Sequence, residues 1–274
     1  MKSNNLNSMT ALGTGTSTGI PMIGCGCSVC TSLDHRDQRM RSSIFIETSN
    51  GKKILIDTTP DLRTQFLTNK ISDIDFVIMT HEHADHLHGI DDLRPLTFGP
   101  PTKEIPIYCN QQTKEVIEKR FEYIFQIRDL QKTPILGGGI PRLKLNAVDL
   151  QKNVHIQNEE FYFFNYPHGH GTTMGFVHDG LAYIVDCMEL PDEIVSVLKH
   201  KKIKLLIIDC LQRHSHSTHL TVNKAFDYIK KIAPERAGLI HMGHDLSHSE
   251  LSKMCESVFG KTVFPLFDQL KLFY

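Results

Sequence analysis

Short apolar runs, separated by polar residues and turn signals, recur along the whole chain. Two of them, at 43–47 and 53–57, flank the dipeptide Asn50-Gly51, which favours a tight hairpin. An apolar run of four to eight residues between turn signals is typical of a strand. On this basis the sequence predicts further strands at 76–79, 160–166, 173–178, 181–186, 204–209 and 237–241.

A second pattern, with apolar residues three and four positions apart, lies between these runs. In 221–233 the residues at this spacing form one apolar face, which predicts a helix: Val222, Ala225, Phe226, Ile229 and Ile232. Comparable patterns predict helices at about 60–69, 111–125, 191–200 and 247–258. Two strand-rich halves with helices between them predict two sheets packed face to face and covered outside by helices. We therefore expect an α/β (α+β) fold, a four-layer αββα sandwich, as a single domain over residues 1–274.

The composition is ordinary for a globular protein and argues against several classes of protein. Of the 274 residues, 40% are hydrophobic and 22% are charged, and the net charge of −1 gives no positive field to attract nucleic acid or an anionic membrane. No apolar run is long enough to cross a bilayer, and residues 1–12 do not resemble a secretory signal. We expect a cytoplasmic protein without a membrane or nucleic-acid partner.

The stretch richest in candidate chemistry directly follows the predicted strand at 76–79. Its sequence is His81-Glu82-His83-Ala84-Asp85-His86. Imidazole and carboxylate are ligands of zinc, manganese and iron(II), and a hydrophobic core has no use for four such groups side by side. Side chains two residues apart on a strand point the same way, so His81 and His83 can bind one ion. Asp85 and His86 lie where the chain turns and can reach a second ion.

Three of the seven cysteines lie close together, in the sequence Cys25-Gly26-Cys27-Ser28-Val29-Cys30. In a reducing compartment this crowding favours a metal over a disulfide. A structural zinc site has four ligands, so a fourth residue must join the three thiolates. The other cysteines stand alone, mostly among apolar residues, and are predicted to lie in the core: Cys109, Cys187, Cys210 and Cys255.

The motif H-x-H-x-D-H, followed by His, Asp and His farther along, resembles the metallo-β-lactamase superfamily. Asp186 and His241, each at the end of a predicted strand, match the last two elements. The middle histidine lies in Tyr166-Pro167-His168-Gly169-His170-Gly171. His168 is preferred by its spacing to Gly175, and His170 is the alternative.

This resemblance implies the metallo-β-lactamase sandwich and two divalent ions, zinc or manganese, in the active site. It also implies which residues bind them: His81, His83 and His168 on one ion, Asp85, His86 and His241 on the other, and Asp186 between the two.

Together with the cysteine cluster, this set resembles the phosphoribosyl 1,2-cyclic phosphate phosphodiesterases of the carbon–phosphorus lyase pathway. That family carries an N-terminal C-x-C-x-x-C and a histidine three residues after the last catalytic ligand, which here is His244. The likeness extends from Gly13-Thr14-Gly15 through Asp91-Asp92-Leu93-Arg94 to the segment around His244. It implies a small-molecule phosphodiester substrate, a homodimer, and one structural zinc bound by Cys25, Cys27, Cys30 and His244.

The segment before the helix at 221 holds further histidines, His214, His216 and His219. His219 matches the position where these phosphodiesterases place a histidine outside the metal shell, whose role is to protonate the leaving alkoxide. Capping of the helix is the structural alternative for His219. The catalytic residues are therefore predicted to be His219 and Asp85.

Weaker signals surround this set. Arg94 and Arg213 are candidates for binding the substrate phosphate, although a surface salt bridge would equally explain either. Asp57 and Asp61 are predicted to orient ligand histidines. A flexible turn beside the active site is predicted at three glycines whose spacing does not match the dinucleotide fingerprint: Gly13, Gly15 and Gly19.

The leading hypothesis is a dinuclear metal phosphodiesterase that acts on a small cyclic phosphate. Three alternatives use the same residues: RNA 3′-end processing, thioester hydrolysis, and a non-catalytic zinc-binding role. RNA processing by this family normally needs a basic protruding arm, and the sequence has no long Gly/Lys-rich insertion. The ligand set by itself does not identify the substrate, and it does not distinguish zinc from manganese.

Overall fold

The structure, a computed structural model, describes residues 6–125 and 139–274. In this part of the chain the strands are β1 Ser8–Gly13, β2 Ser43–Glu47, β3 Lys53–Ile56, β4 Phe76–Ile78, β5 Ile105–Cys109, β6 Leu143–Ala147, β7 Asn153–Ile156, β8 Glu159–His168, β9 Gly171–His178, β10 Leu181–Ile184, β11 Leu205–Asp209, β12 Arg236–Ile240, β13 Val263–Pro265 and β14 Lys271–Phe273. The helices are α1 Leu62–Asn69, α2 Ala84–Leu87, α3 Gln111–Arg120, α4 Glu122–Phe125, α5 Asp192–His200, α6 Val222–Ile232 and α7 His248–Phe259. Two 3₁₀ helices cover His35–Asp37 and Ile90–Thr97.

The strands form two seven-stranded sheets, in the orders β14-β1-β2-β3-β4-β5-β6 and β13-β12-β11-β10-β9-β8-β7. Neighbours from β3 to β6 are parallel in the first sheet, and neighbours from β10 to β13 are parallel in the second. Parallel strands end at the same edge of their sheet, so the residues that follow them can converge there.

Apolar side chains fill three layers between the elements. Phe76 of the first sheet and Phe161 and Phe176 of the second belong to one cluster, which packs the two sheets face to face. A second cluster joins the outer face of the second sheet to α5, α6 and α7, and a third joins the first sheet to α1 and α3. This arrangement is the four-layer αββα sandwich, and it confirms the predicted fold class.

Helix α6 shows how the apolar pattern becomes structure. All five residues of its predicted apolar face are buried: Val222, Ala225, Phe226, Ile229 and Ile232. The side chain of Thr221 caps its first turn by accepting a hydrogen bond from the backbone N–H of Lys224. The predicted continuous helix at 111–125 is wrong, because Phe121 leaves helical geometry between α3 and α4 and its ring packs into the core.

Two shorter predictions are also confirmed. The Asn50-Gly51 dipeptide lies in the turn between the antiparallel strands β2 and β3, where Gly51 has a φ of 80°. The isolated cysteines are all buried: Cys109, Cys187, Cys210 and Cys255. Among the described residues no helix combines the length and apolar character needed to cross a membrane.

Candidate metal centre

Three polar residues that follow parallel strands have unusual backbone conformations. Asp57 after β3, Asp186 after β10 and His241 after β12 have φ values of 65°, 51° and 62°. This left-handed region is uncommon for residues with a Cβ and costs of order 1–3 kcal/mol where the surroundings impose it. Such residues cluster at functional sites; here Asp57 and Asp186 both contact the ring of His86, and Asp186 also contacts His241.

Asp186 lies at the centre of this cluster and divides its two oxygens between two pairs of histidines. Its Oδ2 is 3.3 Å from Nε2 of His81 and 3.4 Å from Nε2 of His168. Its Oδ1 is 3.4 Å from Nε2 of His86 and 3.1 Å from Nδ1 of His241. A carboxylate placed in this way would be able to hold two neighbouring cations, one through each oxygen.

Two further residues complete the two groups. Nδ1 of His83 is 3.2 Å from Nε2 of His168, and Oδ2 of Asp85 is 3.3 Å from Nε2 of His86. Within each group, the candidate ligand atoms all lie within 4.8 Å of one another. The groups are His81, His83, His168 and Asp186, and Asp85, His86, Asp186 and His241. The structure thus brings together all the residues that the resemblance implies, in the same division.

Buried polar atoms without a hydrogen-bond partner show whether the residues of this cluster suit cations. Nε2 of His81, Oδ2 of Asp85, Nε2 of His86 and Oδ1 of Asp186 are buried and have no hydrogen-bond partner among the described residues. Buried polar atoms almost always have a partner, and four exceptions in one place need an explanation. Each of these atoms is a good ligand for a divalent ion, so the residues fit the metal that the superfamily uses.

Hydrogen bonds behind the cluster orient the ligand rings. Nδ1 of His86 is 2.7 Å from Oδ2 of Asp57, and Nδ1 of His168 is 2.9 Å from the carbonyl oxygen of Thr218. A carbonyl can only accept, so His168 carries its proton on Nδ1 and keeps the Nε2 lone pair, on the side of Asp186, free to bind a cation. The predicted orienting role of Asp57 is confirmed.

Asp61 does not share that role, and this prediction is wrong. Its carboxylate accepts hydrogen bonds from the backbone N–H and from Nη1 of Arg41, at 2.8 and 2.9 Å. Asp57 ends a buried strand, whereas Asp61 lies beyond Pro60 at the start of α1, where its side chain turns to the neighbouring arginine.

The electrostatics of the cluster favour negative charge at its centre. Burial alone would raise the pKa of Asp186, but the charges of His241 and His86 outweigh burial and hold it well below its usual range. Burial lowers the pKa of His81 to about 3, which keeps its imidazole neutral and able to act as a ligand.

His219 lies against both groups without belonging to either. Its ring stacks on that of His241, with centroids 4.9 Å apart, and meets the ring of His168 edge-on at 4.8 Å. Burial lowers its pKa, but the hydrogen bond to Asp209 outweighs this and raises it to about 9. Thr221 is the N-cap of α6, so the alternative role of His219 as a cap is wrong.

The partner of His219 is a residue that the sequence predictions missed. Oδ2 of Asp209 is 3.1 Å from Nδ1 of His219 and also accepts the backbone N–H groups of Cys187 and Leu220, at 2.9 and 3.2 Å. Asp209 is the last residue of β11. Like Asp186 and His241 it is a polar residue at the end of an apolar parallel strand, and this signal could have identified it.

The remaining site predictions have mixed outcomes. His168 is buried, whereas His170 is exposed beyond the turn at Gly169, so the geometry favours His168. Arg213 forms an exposed salt bridge with Glu250, at 3.0 Å, which supports the salt-bridge alternative for this residue. Arg94 is half-buried in the 3₁₀ helix Ile90–Thr97, and its contact with substrate stays a prediction.

The glycine-rich turn lies beside the site, as predicted, but it is closely packed. Oγ1 of Thr16 is 3.3 Å from Nε2 of His241. A Cβ on Gly13 would lie 2.0 Å from the carbonyl oxygen of Arg41, and one on Gly15 would lie 2.9 Å from that of Arg39. These glycines permit close approach of two backbone segments, so the expectation of flexibility is wrong.

The four predicted structural zinc ligands also come together. Nδ1 of His244 is 3.2 Å from Sγ of Cys25, 3.5 Å from that of Cys27 and 3.7 Å from that of Cys30. Tetrahedral zinc with its usual bonds to sulfur and nitrogen places those atoms roughly 3.5 Å apart. The backbone N–H of Cys30 lowers the pKa of the Cys27 thiol to about 6, which favours the thiolate that zinc binds.

A buried arginine ties the two sites together. Arg39 is almost entirely buried; its Nη1 donates to the carbonyl of Gly243 at 3.0 Å, and its Nη2 donates to that of Leu246 at 2.6 Å. Nη2 also pairs with Asp37 at 3.0 Å. The loop between His241 and α7, which carries His244, is therefore held by the buried guanidinium group of Arg39, whose charge is paired with Asp37.

Comparisons with known proteins agree with this geometry. A family model for the beta-lactamase superfamily domain matches residues 52–242. The chain therefore belongs to the metallo-β-lactamase superfamily.

Within that superfamily the chain resembles the PhnP family. A crystal structure of a new diphosphatase from the PhnP family is 31% identical and covers 98% of both chains, with a TM-score of 0.86. The Zn²⁺-bound PqqB of Methylobacterium extorquens has a TM-score of 0.77 over 97% of this chain and all of its own, and at 18% identity it shows the shared fold. The family resemblance inferred from the sequence is confirmed.

A curated relative is similar over part of its length. A protein of Porphyromonas gingivalis (strain ATCC BAA-308 / W83) named octanoyltransferase is 36% identical over 234 residues, which are 85% of this chain and 45% of that protein. The chain thus spans about half the length of this relative.

Proposed function

We propose that the protein is a dinuclear metal phosphodiesterase that hydrolyses a small cyclic phosphate. The observation that carries this proposal is the division of the Asp186 oxygens between two histidine groups, with His219 in contact with one histidine of each. Two ions and a separate proton donor suit displacement at phosphorus, because charge builds up on both the attacking and the leaving oxygen.

The proposed ions are two divalent cations, zinc or manganese, in the active site and one zinc at the cysteine cluster. When bound, the active-site pair supplies Lewis acidity and lowers the pKa of a water molecule so that it can attack phosphorus at neutral pH. The ligand atoms suit either metal, since imidazole and carboxylate bind both.

The residues around the ions have separate tasks. Asp209 fixes Nδ1 of His219, so the opposite nitrogen, Nε2, can hold a proton for the leaving oxygen. Asp85 would hold one ion through Oδ2, and the second oxygen of its carboxylate can accept the proton that the attacking water loses. Water adds to phosphorus, the bond to the leaving oxygen breaks, and that oxygen takes the proton from His219.

The test uses purified protein loaded with manganese or zinc and two phosphodiesters. Bis(p-nitrophenyl) phosphate has a leaving group that departs without protonation, whereas a 2′,3′-cyclic nucleotide releases a sugar alkoxide that needs a proton. The parent protein should hydrolyse both. His219→Ala should lower kcat for the cyclic nucleotide by roughly 10²–10⁴-fold and affect the nitrophenyl ester much less.

Two variants serve as controls. Asp209→Asn should show the same preference for the good leaving group, because it removes the carboxylate that holds His219. His214→Ala changes an exposed histidine of the same loop and should behave like the parent. Equal losses on both substrates in His219→Ala would contradict the role of proton donor, and a metal-loaded parent without activity on either ester would contradict the proposed function.

A second candidate is hydrolysis of a diphosphate. It is favoured by the whole-length likeness to a PhnP-family protein that is named a diphosphatase. The ligand geometry suits both reactions, but the phosphate released from a diphosphate departs more readily than an alkoxide. Faster turnover of ADP than of the cyclic nucleotide, with little loss in His219→Ala, would favour the diphosphatase. The homodimer and the cytoplasmic location stay predictions.

A further inference from the structure

The loop between β11 and α6 holds three histidines, and the proposed reaction uses only one of them. His214 is exposed, whereas His216 is half-buried beside His219, with ring centroids 5.2 Å apart. His216 therefore lies next to the proposed proton donor, in a position that the mechanism does not explain.

Thr218 fixes which nitrogen of His216 carries a proton. The backbone N–H of Thr218 donates to Nδ1 of His216 at 3.3 Å, and Oγ1 of Thr218 is 3.2 Å from the same nitrogen. A backbone N–H can only donate, so Nδ1 is the acceptor and the neutral ring carries its proton on Nε2. Burial and the neighbouring His219 lower the pKa of His216, in agreement with a neutral ring.

The Nε2–H group of His216 is the chemically available part of this side chain. Among the described residues it has no hydrogen-bond partner. Thr218 also ties the loop to the metal centre, because its carbonyl oxygen accepts the Nδ1 proton of His168 at 2.9 Å. One threonine thus holds a candidate metal ligand through its carbonyl and His216 through its N–H, so the position of His216 relative to the centre is fixed.

The rings of His168, His219 and His216 follow one another at centroid distances of 4.8 and 5.2 Å. His216 is therefore in ring contact with the proposed proton donor. If the leaving oxygen lies at His219, a neighbouring part of the leaving group can come within reach of His216.

We propose that His216 donates a hydrogen bond from Nε2 to an oxygen of the leaving group, next to the oxygen that His219 protonates. This makes His216 a specificity residue for leaving groups with a neighbouring oxygen, such as the vicinal hydroxyl and ring oxygens of a sugar phosphate. The inference rests on the proposed phosphodiesterase function and extends it to the class of leaving group.

The experiment compares His216→Ala and His216→Gln with the parent on the two phosphodiesters. In His216→Ala, KM for the 2′,3′-cyclic nucleotide should rise about tenfold, the effect of losing one hydrogen bond to substrate, while kcat stays within twofold. The rise should be confined to this substrate, because p-nitrophenolate has no oxygen next to its leaving atom. His216→Gln retains an N–H donor and should recover most of the lost affinity.

A structural role would give different results. His214→Ala is the matched control in the same loop and should keep the parent KM. Metal content and melting temperature of His216→Ala should equal those of the parent. An unchanged KM, an equal rise for both substrates, or a fall in kcat together with metal loss would overturn the inference. If the metal-loaded parent hydrolyses neither ester, the proposed function itself fails. If the parent is active and only the results expected for His216→Ala are missing, this inference alone fails.

Discussion

The two candidate metal sites of this protein are built in opposite ways. The ligands of the His/Asp centre follow strands of both sheets, or lie in the short helix α2 beside them, and many have a second hydrogen-bond partner that fixes the ring. The three cysteines of the other site lie in a loop without helix or strand, where the apolar support is a small cluster around Ile20 and Val29.

This difference indicates which of the two sites the fold can form before an ion binds. The strands next to Asp186, β10 and β11, are fully buried. We expect them to form with or without an ion, because their stability comes from the core. The cysteine loop has little apolar surface to bury, and the bonds to its ion must supply much of its order. We therefore expect loss of metal to abolish the chemistry at the first site and to loosen the structure at the second.

The largest expected effect is at the shared carboxylate. Asp186→Asn keeps the shape of the side chain but removes the negative charge that faces both histidine groups. We expect kcat to fall by roughly 10³-fold or more, with loss of the active-site metals, since each ion stabilises the transition state by several kcal/mol. Activity assays and metal analysis by mass spectrometry provide the measurement.

The same variant separates the two sites. Zinc at the cysteine cluster should remain at about one ion per chain, and the fold should stay intact. The control is Asp192→Asn, which neutralises an exposed carboxylate at the start of α5. Retention of both active-site metals with near-parent activity in Asp186→Asn would show that this residue is not the bridge.

A smaller, more local effect is expected at the cysteine cluster. Cys27→Ser removes the thiolate with the lowered pKa, and we expect loss of one zinc per chain. Amide hydrogen exchange should then rise in residues 20–34 and around His244, while the strands of both sheets keep their protection. Activity should fall roughly 10–100-fold, because the loop that carries His244 also carries His241.

Ser28→Ala, a substitution in the same loop that leaves all three thiols, is the matched control. Uniform loss of protection across both sheets in Cys27→Ser would contradict the comparison, because it would mean that the cysteine site supports the whole core. Unchanged zinc content would show that Cys27 is not a ligand.

The smallest expected effect concerns charge beside the cysteine loop. Burial, with the nearby Arg36 and Arg39, lowers the pKa of His248 to about 4. Its unfolded value is about 6.5, so the folded state favours the neutral ring. The resulting stability is present above pH 6.5 and is lost as the pH falls toward 4, by at most about 3 kcal/mol.

Urea unfolding with excess zinc at pH 4.5, 5.5 and 7 measures how the free energy of unfolding depends on pH. His248→Gln should flatten the pH dependence relative to the parent, whereas His200→Gln, at an exposed histidine of α5, should leave it unchanged. If the free energy of unfolding depends on pH in the same way in His248→Gln and in the parent, other groups cause the acid sensitivity.

Local features of the sequence predicted much of this molecule. The short apolar runs and the apolar residues three and four positions apart predicted the sandwich, since a buried strand or an amphipathic helix must pack against another layer. The short motifs at 25–30 and 81–86 place their ligands close together through a few bonds, so their convergence needs no long-range contact. Asp186 and His241 were found through the family pattern, although their positions after apolar strands carry the same information.

Contacts between distant segments decided the rest. The choice of His168 over His170 depends on which side of a turn faces the centre, and the link from Asp209 to His219 depends on how the loop after β11 folds back. The partners of Asp61 and Arg213 lie on other elements, in Arg41 and Glu250, and long polar side chains take whichever partner the fold brings near. The sequence by itself therefore predicted which groups are candidate metal ligands, whereas only the tertiary structure decided which side chains hold them in place, because orientation depends on backbone direction at strand ends.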